Sequence, residues 1–385
     1  MVKKINKILI APDGFKESLT AIEVANSMKV GVKKVWPESD IVLMPVADGG
    51  DGTMQTIISQ SNGMIHTSKV TDPIGRKILA DWGGIPEKNT AVIEVAKSSG
   101  LELLSLKERN PLITTTRGVG ILIKEAINNG YKNMIIGVGG SATNDGGSGM
   151  LMELGIKFRK LNGEDIIDGG IGLKELDSID IKGIDKRISE CSITIACDVN
   201  NPLCGNRGAS AVFGPQKGAT PVMVEELDNA LRKYASIIKK DIGIDILDYP
   251  GSGASGGLGA AFMAFFGAKL RLGSDIVLDL LDINSALENT DLVIVGEGQF
   301  DRSTIFNKAP ISVAHRAKIN RIPVIGIAGS LGAGFSEIHN HGIDSMFSLV
   351  NRPMSMNDAV SNSKRLIEIA TEEACRAINI GLDFD

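Results

Sequence analysis

The chain has 385 residues, of which 43% are hydrophobic and 23% charged, and a net charge of −5. That length favours two domains over one, with enough apolar residues for sizeable cores. The acidic balance, without a Lys/Arg-rich block or a basic patch interleaved with aromatics, excludes a general nucleic-acid surface. The longest apolar run, 258–268, is short for a bilayer span and is broken by glycine, so no membrane role is expected. MVKKINKILIAPDG starts basic but lacks an h-region and a cleavage site; it reads as a first strand, and a cytoplasmic location is expected. Cys191, Cys197, Cys204 and Cys375 form no CxxC pair and read as free thiols. No feature assigns an oligomeric state.

Short β-branched runs alternate with amphipathic segments, the pattern of α/β proteins with largely parallel sheets. KILIA (7–11) reads as a strand, and Thr20 is placed to cap a helix running AIEVANSMKVGVKKV. IVLMPVA (41–47) is strand-like and a helix is expected after Asp51. Further strands are expected at TAVIEVA (90–96), MIIGVG (134–139), ITIAC (193–197), DLVIVG (291–296) and PVIGIAG (323–329). Helices are expected over 117–129, 145–154, 220–239, 256–268, 307–319 and 357–380. The first and last parts alternate crisply, whereas the middle carries longer irregular loops. This suggests a discontinuous Rossmann-like domain, 1–75 with 285–385, and an inserted α/β domain, 76–284.

The 45 glycines exceed the ~7% average and gather in loops without a period. Five apolar runs each end in glycine, acid or amide: KILIA leads into PDGFKESLT, IVLMPVA into DGGDGT, MIIGVGG into SATNDGGSG, ITIAC into DVNNPL, and DLVIVG into EGQFDRST. Ligands of open α/β sheets bind beyond the carboxyl ends of the strands. Glycine-rich turns expose backbone N–H groups that suit anionic oxygens. Mg²⁺ takes one or two carboxylates together with phosphate oxygens and water. Lys16 and Lys217, in polar loops, are placed to balance phosphate charge, and Glu297 and Asp301 follow a buried-looking strand where an idle carboxylate is costly. Each signal has a structural alternative. DGGDGT also reads as a turn, Asp198 as a cap, and GASGGLGA (253–260) as a close-packing device. There is no GxxxxGK[ST] loop, no HRD or DFG set, no GxSxG or HExxH, and GVGGSATNDGG has its glycines out of register for GxGxxG.

APDGFKESLTA, PVADGGDGT, ERNPLITTTRGVG, GVGGSATNDGGSGML, ACDVNNPLCG, AVFGPQKGAT, GSGASGGLGA and GEGQFDRST, in this order over residues 11–310, resemble the bacterial glycerate kinase family that lacks a P-loop. The resemblance implies ATP-dependent, Mg²⁺-assisted phosphorylation of D-glycerate, commonly to 2-phosphoglycerate, on two α/β domains with the site in the cleft between them. It further implies that Asp198 takes the hydroxyl proton, that Lys16 and Lys217 stabilise the transferring phosphate, and that Asn144 and Asp145 orient substrate or metal. Ser141, Ser255, Gly256, Asp301 and Lys308 join the substrate- and phosphate-binding set, and Asp48 and Glu297 are the metal candidates. On this reading Asp145→Asn lowers kcat while leaving folding intact. Arg76, Arg117 and Arg302 are candidates for the glycerate carboxylate. Departures from the family's usual residues at Gly14, Arg117, Gln299 and Asn307 bear on substrate preference. Three alternatives stay open: a kinase for another small hydroxy acid, a 3-phosphoglycerate product, and a non-catalytic metabolite-binding protein.

Overall fold

The computed structural model describes residues 5–47, 53–306 and 308–382. The strands described are, in chain order, β1 (Lys7–Pro12), β2 (Asp40–Leu43), β3 (Met64–Thr71), β4 (Lys77–Ile85), β5 (Thr90–Glu94), β6 (Asn133–Gly137) and β7 (Lys157–Lys160). They continue as β8 (Leu176–Asp180), β9 (Ser192–Ala196), β10 (Lys269–Arg271), β11 (Leu292–Phe300), β12 (Val324–Leu331) and β13 (Ser345–Ser348). The chain forms two compact units, 1–48 with 274–385 and 49–273. These boundaries differ from 75 and 285. Residues 64–71 pair with β4 and so belong to the second sheet, while the Ser274 hydroxyl hydrogen-bonds that of Ser312, within the first unit.

The first unit is built on a parallel sheet ordered β13-β12-β11-β1-β2. Its central strands are apolar and buried over 8–11, 292–295 and 324–328, where both faces are covered. Alternation then divides their side chains between two cores. Ile8, Ile10, Leu292 and Ile294 pack with the helices Ala21–Val35 and Ser363–Leu382. Leu9, Ala11, Val293 and Val295 pack with the helix Ala309–Ile319. Thr20 caps the first helix as expected, in a capping box with Glu23. Gly31 lets that helix approach Ser363–Leu382, since a Cβ there would lie 2.6 Å from the Glu368 carbonyl oxygen. The helix expected over 357–380 is interrupted: Met356–Ser361 ends at Asn362, whose amide donates to the Asp358 carbonyl, and Ser363–Leu382 follows.

The second unit carries a mixed sheet ordered β10-β9-β6-β5-β4-β3, parallel from β10 to β5 and antiparallel beyond. Its core includes Trp82, Ile93, Ile136, Ile195, Phe158 and Tyr234. The helices Arg117–Asn128, Ser148–Glu153, Pro221–Asp241 and Ala254–Phe266 contribute Leu122, Met150, Leu231 and Leu258 to it. Among the described residues, no helix is long and apolar enough to cross a membrane. All four cysteines are free, and burial pushes the Cys204 and Cys375 thiols up to about 12.

Candidate active site

In the second unit, β6 ends at Gly137 and the chain enters the loop that holds Ser141, Thr143, Asn144 and Asp145, all buried. The apolar strand brings the loop to the carboxyl edge of the sheet, and its glycines supply the turns: Gly140, Gly146 and Gly147 have φ of 68°, 62° and 76°. Asp145 is fully enclosed. Its carboxylate accepts from the Thr116 N–H and hydroxyl, both at 2.9 Å, from the Gly147 N–H at 3.0 Å and from the Gly149 N–H at 3.3 Å. Burial raises its pKa, and these donors oppose the rise. The two Thr116 donors fix the loop against residues 115–117.

Lys217, at the end of a 3₁₀ turn (Pro215–Lys217), is only 2% exposed. Its Nζ donates to the Thr143 carbonyl oxygen at 2.7 Å and to Ser141 Oγ at 3.0 Å. Burial pushes its pKa down to about 7, with the Asp145 charge acting the other way. Asn144 Nδ2 donates to Ser210 Oγ at 3.0 Å. Ser255, Gly256 and Gly257 open the segment that follows with three consecutive left-handed residues, φ 53°, 68° and 90°. There the Gly256 carbonyl accepts from the Gly146 N–H at 3.0 Å. A Cβ on Gly256 would stand 2.1 Å from the Thr143 carbonyl oxygen, so the two loops touch backbone to backbone.

Around this contact the polar atoms are under-used. Among the described residues, Thr143 Oγ1, Asn144 Oδ1, Ser148 Oγ, Ser252 Oγ, Ser255 Oγ and Tyr234 Oη are buried without a hydrogen-bond partner. Buried polar groups are rarely left so, and a concentration of them marks a place for water or ligand oxygens. Ser255 adds backbone strain of roughly 1–2 kcal/mol for a non-glycine residue in this conformation. At the end of β9, Asp198 is exposed and accepts the Gly273 N–H at 3.0 Å.

Glu297, Asp301, Lys308 and Lys16 lie in the first unit. Glu297, near the carboxyl end of β11, pairs with Lys308 and accepts from Thr304 Oγ1 at 3.1 Å. Burial raises its pKa while Lys308 holds it back. Asp301 caps the turn Arg302–Ile305 through the Ser303 N–H and hydroxyl, at 2.7 and 2.6 Å, and these bonds lower its pKa. Lys16 is exposed, and its backbone nitrogen would lie 3.8 Å from a Cβ on Gly298. Asp48 lies outside the described residues, as does Asn307. The three arginine candidates are already engaged: Arg76 with Asp72 and Glu108, Arg117 with Asp168 and Glu153, Arg302 with Glu337. Thr116 and Tyr234 were not singled out from sequence. The TTT of ERNPLITTTRGVG was the available signal for the first, and nothing local marks the second.

Glycine-rich, donor-bearing loops at the carboxyl ends of parallel strands define an α/β enzyme suited to small anionic substrates. The profile of the glycerate kinase family matches residues 8–379. Glycerate 2-kinase of Escherichia coli K12 is 47% identical over 98% of this chain and 99% of its own length. Glycerate kinase of Bacillus subtilis 168 is 45% identical over 97% and 98%. A crystal structure described as glycerate kinase 2 from Salmonella typhimurium LT2 superposes with a TM-score of 0.90 at 47% identity, covering 99% of this chain and 100% of that one. The chain belongs to the glycerate kinase family and is a kinase.

Proposed function

We propose that the chain transfers the terminal phosphoryl group of ATP, in the presence of Mg²⁺, to the 2-hydroxyl of D-glycerate, giving 2-phosphoglycerate. The observation that carries this reading is the buried Lys217 fixed beneath a loop of unpartnered polar atoms, in a chain this similar to a glycerate 2-kinase. Phosphoryl transfer asks mainly for positioning, charge neutralisation and a base for the acceptor hydroxyl.

Lys217 holds the Ser141–Thr143 backbone in place, and Asp145 holds the following turn through Gly147 and Gly149. Ser255 and Asn144 present polar atoms for substrate oxygens. Asp198, oriented by the Gly273 N–H, accepts the hydroxyl proton. Lys16 supplies positive charge for phosphate, and Lys308 and Asp301 shape the turn beyond Glu297. Among the described residues, no group of three His, Cys, Asp or Glu is placed to hold a metal ion. Mg²⁺ needs only one or two carboxylates beside phosphate oxygens and water, so Glu297 fits that oxygen donor chemistry. When bound, Mg²⁺ neutralises phosphate charge.

The test is ADP release with ATP, Mg²⁺ and a panel of D-glycerate, L-glycerate, tartronate and a sugar acid. Turnover highest with D-glycerate is expected. Turnover confined to another acid would overturn the substrate, and ligand binding without ADP release would overturn the reaction.

A further inference from the structure

A pocket of about 350 Å³ opens in the first unit beyond β13, lined by Asn351, Arg352, Met354, Asp358, Asn362 and Arg365. None of the residues placed at the candidate active site belongs to it. The chain leaves β13, Ser355 caps the helix Met356–Ser361 through the Asp358 N–H at 3.1 Å, and the break at Asn362 turns the next helix so that Arg365 joins the lining. Leu366 and Ile369 add an apolar wall.

The charges are what distinguish this pocket. Among the described residues neither Arg352 nor Arg365 has an ion-pair or hydrogen-bond partner, whereas Arg76, Arg117, Arg302, Arg316 and Arg376 each meet a carboxylate. Asp358 is the one acid in the lining, and its carboxylate already accepts from the Ser355 hydroxyl at 2.7 Å. The adjacent Lys364 is turned to Glu23 at 3.0 Å. Two open guanidinium groups, with the amides of Asn351 and Asn362 beside them, form a donor set that matches phosphate oxygens in shape and charge. The volume is at the small end of ligand sites, roughly 300–1,000 Å³. The site also lies beyond the carboxyl end of a parallel strand, where ligands of such sheets bind.

We propose that this pocket binds a small phosphate-bearing anion, held by Arg352 and Arg365 with Asn351 and Asn362 as further donors. The chemistry is shared by a nucleotide and by a free phosphorylated acid, and the inference does not depend on which substrate the enzyme phosphorylates.

Met354 provides a local reporter. The full-length protein, labelled with ¹³C in its methionine methyl groups, is titrated separately with inorganic phosphate, ADP and 2-phosphoglycerate, and the Met354 resonance is assigned with Met354→Leu. At least one probe is expected to shift that resonance saturably. In Arg352→Gln/Arg365→Gln the required concentration should rise at least about tenfold, as expected for losing two charge-assisted contacts. A response to ADP alone identifies a nucleotide, and a response to phosphate and 2-phosphoglycerate identifies a free phosphorylated acid. Asp358→Asn removes the one repulsive charge and should tighten the titration a few-fold. The proposal is overturned if no probe moves Met354, if the double variant titrates like the wild type, or if Asp358→Asn leaves the midpoint unchanged.

Discussion

Lys217 Nζ lies 2.7 Å from the Thr143 carbonyl oxygen, so the buried amine of one loop is fastened to the backbone of another. The same nitrogen reaches Ser141 Oγ, and the Asp145 charge is near enough to act on it. The loop is thus held from both sides by groups that solvent does not reach.

The buried amine predicts a pH signature. Its folded pKa, about 7, is lowered from the ordinary lysine value of 10.5. Below the folded value both states carry the proton and the folded protein bears the full desolvation penalty. Between the two values only the unfolded chain binds the proton, so stability rises with pH. Relative to Lys217→Met, the wild type should gain stability from pH 7 toward pH 10, by up to about 1.4 kcal/mol per pH unit. Urea unfolding of both proteins across that range measures the difference, and parallel curves would contradict the burial argument.

Asp145→Asn was expected from sequence to spare folding, and the geometry predicts otherwise. An amide offers one acceptor oxygen where the carboxylate meets four donors, and its NH₂ would face N–H groups. A loss of roughly 2–4 kcal/mol is expected, with activity falling alongside. An unchanged melting temperature with lowered kcat would instead support direct contact of Asp145 with reactants.

Ser255 and Gly256 should separate cleanly. Ser255→Ala removes a hydroxyl with no partner among the described residues, so stability should hold within about 0.5 kcal/mol while KM or kcat worsens. Gly256→Ala drives a Cβ to 2.1 Å from a carbonyl oxygen at φ 68°, which should destabilise the protein by more than about 2 kcal/mol. Thermal unfolding beside steady-state kinetics distinguishes them. Full activity in Ser255→Ala would remove that hydroxyl from the site.

Lys308→Met exposes the opposite sign of pH dependence. Burial raises the Glu297 pKa above its ordinary value and Lys308 opposes the rise. A carboxyl with a raised folded pKa stabilises the fold while protonated, and that stability is lost as pH rises through the folded value. Removing Lys308 raises the pKa further, so the variant should lose more stability than the wild type between pH 4.5 and 7. At pH 7 the deficit should be about 1–3 kcal/mol. An equal deficit at both pH values would show that Lys308 acts through packing alone.

Much of the scaffold is legible in the sequence because burial writes it there. KILIA, MIIGVG, ITIAC and DLVIVG are apolar runs covered on both faces, and each forms a strand. Thr20 with Glu23 is a local signal and forms its capping box. The hairpin of β3 and β4 was missed because β3 is largely polar and exposed and β4 carries the paired glycines Gly83 and Gly84. The break at Asn362 escaped notice because no glycine or proline marks it in 355–365. At the site, the glycine loop was legible but its division of labour was not. Nothing in GGSATNDGG says that Thr116 would enclose Asp145, or that Lys217, from a distant turn, would be buried beneath it. Arg76, Arg117 and Arg302 resemble free cations in sequence, and only tertiary structure brings Asp72, Asp168 and Glu337 to them.

The position of the new phosphate ester tests the central claim most directly. D-glycerate is incubated with ATP, Mg²⁺ and the enzyme, and the product is examined by ³¹P NMR with proton coupling. Phosphate coupled to the single methine proton, with the product consumed by enolase, is the predicted result. Coupling to the two methylene protons, without consumption by enolase, would contradict it.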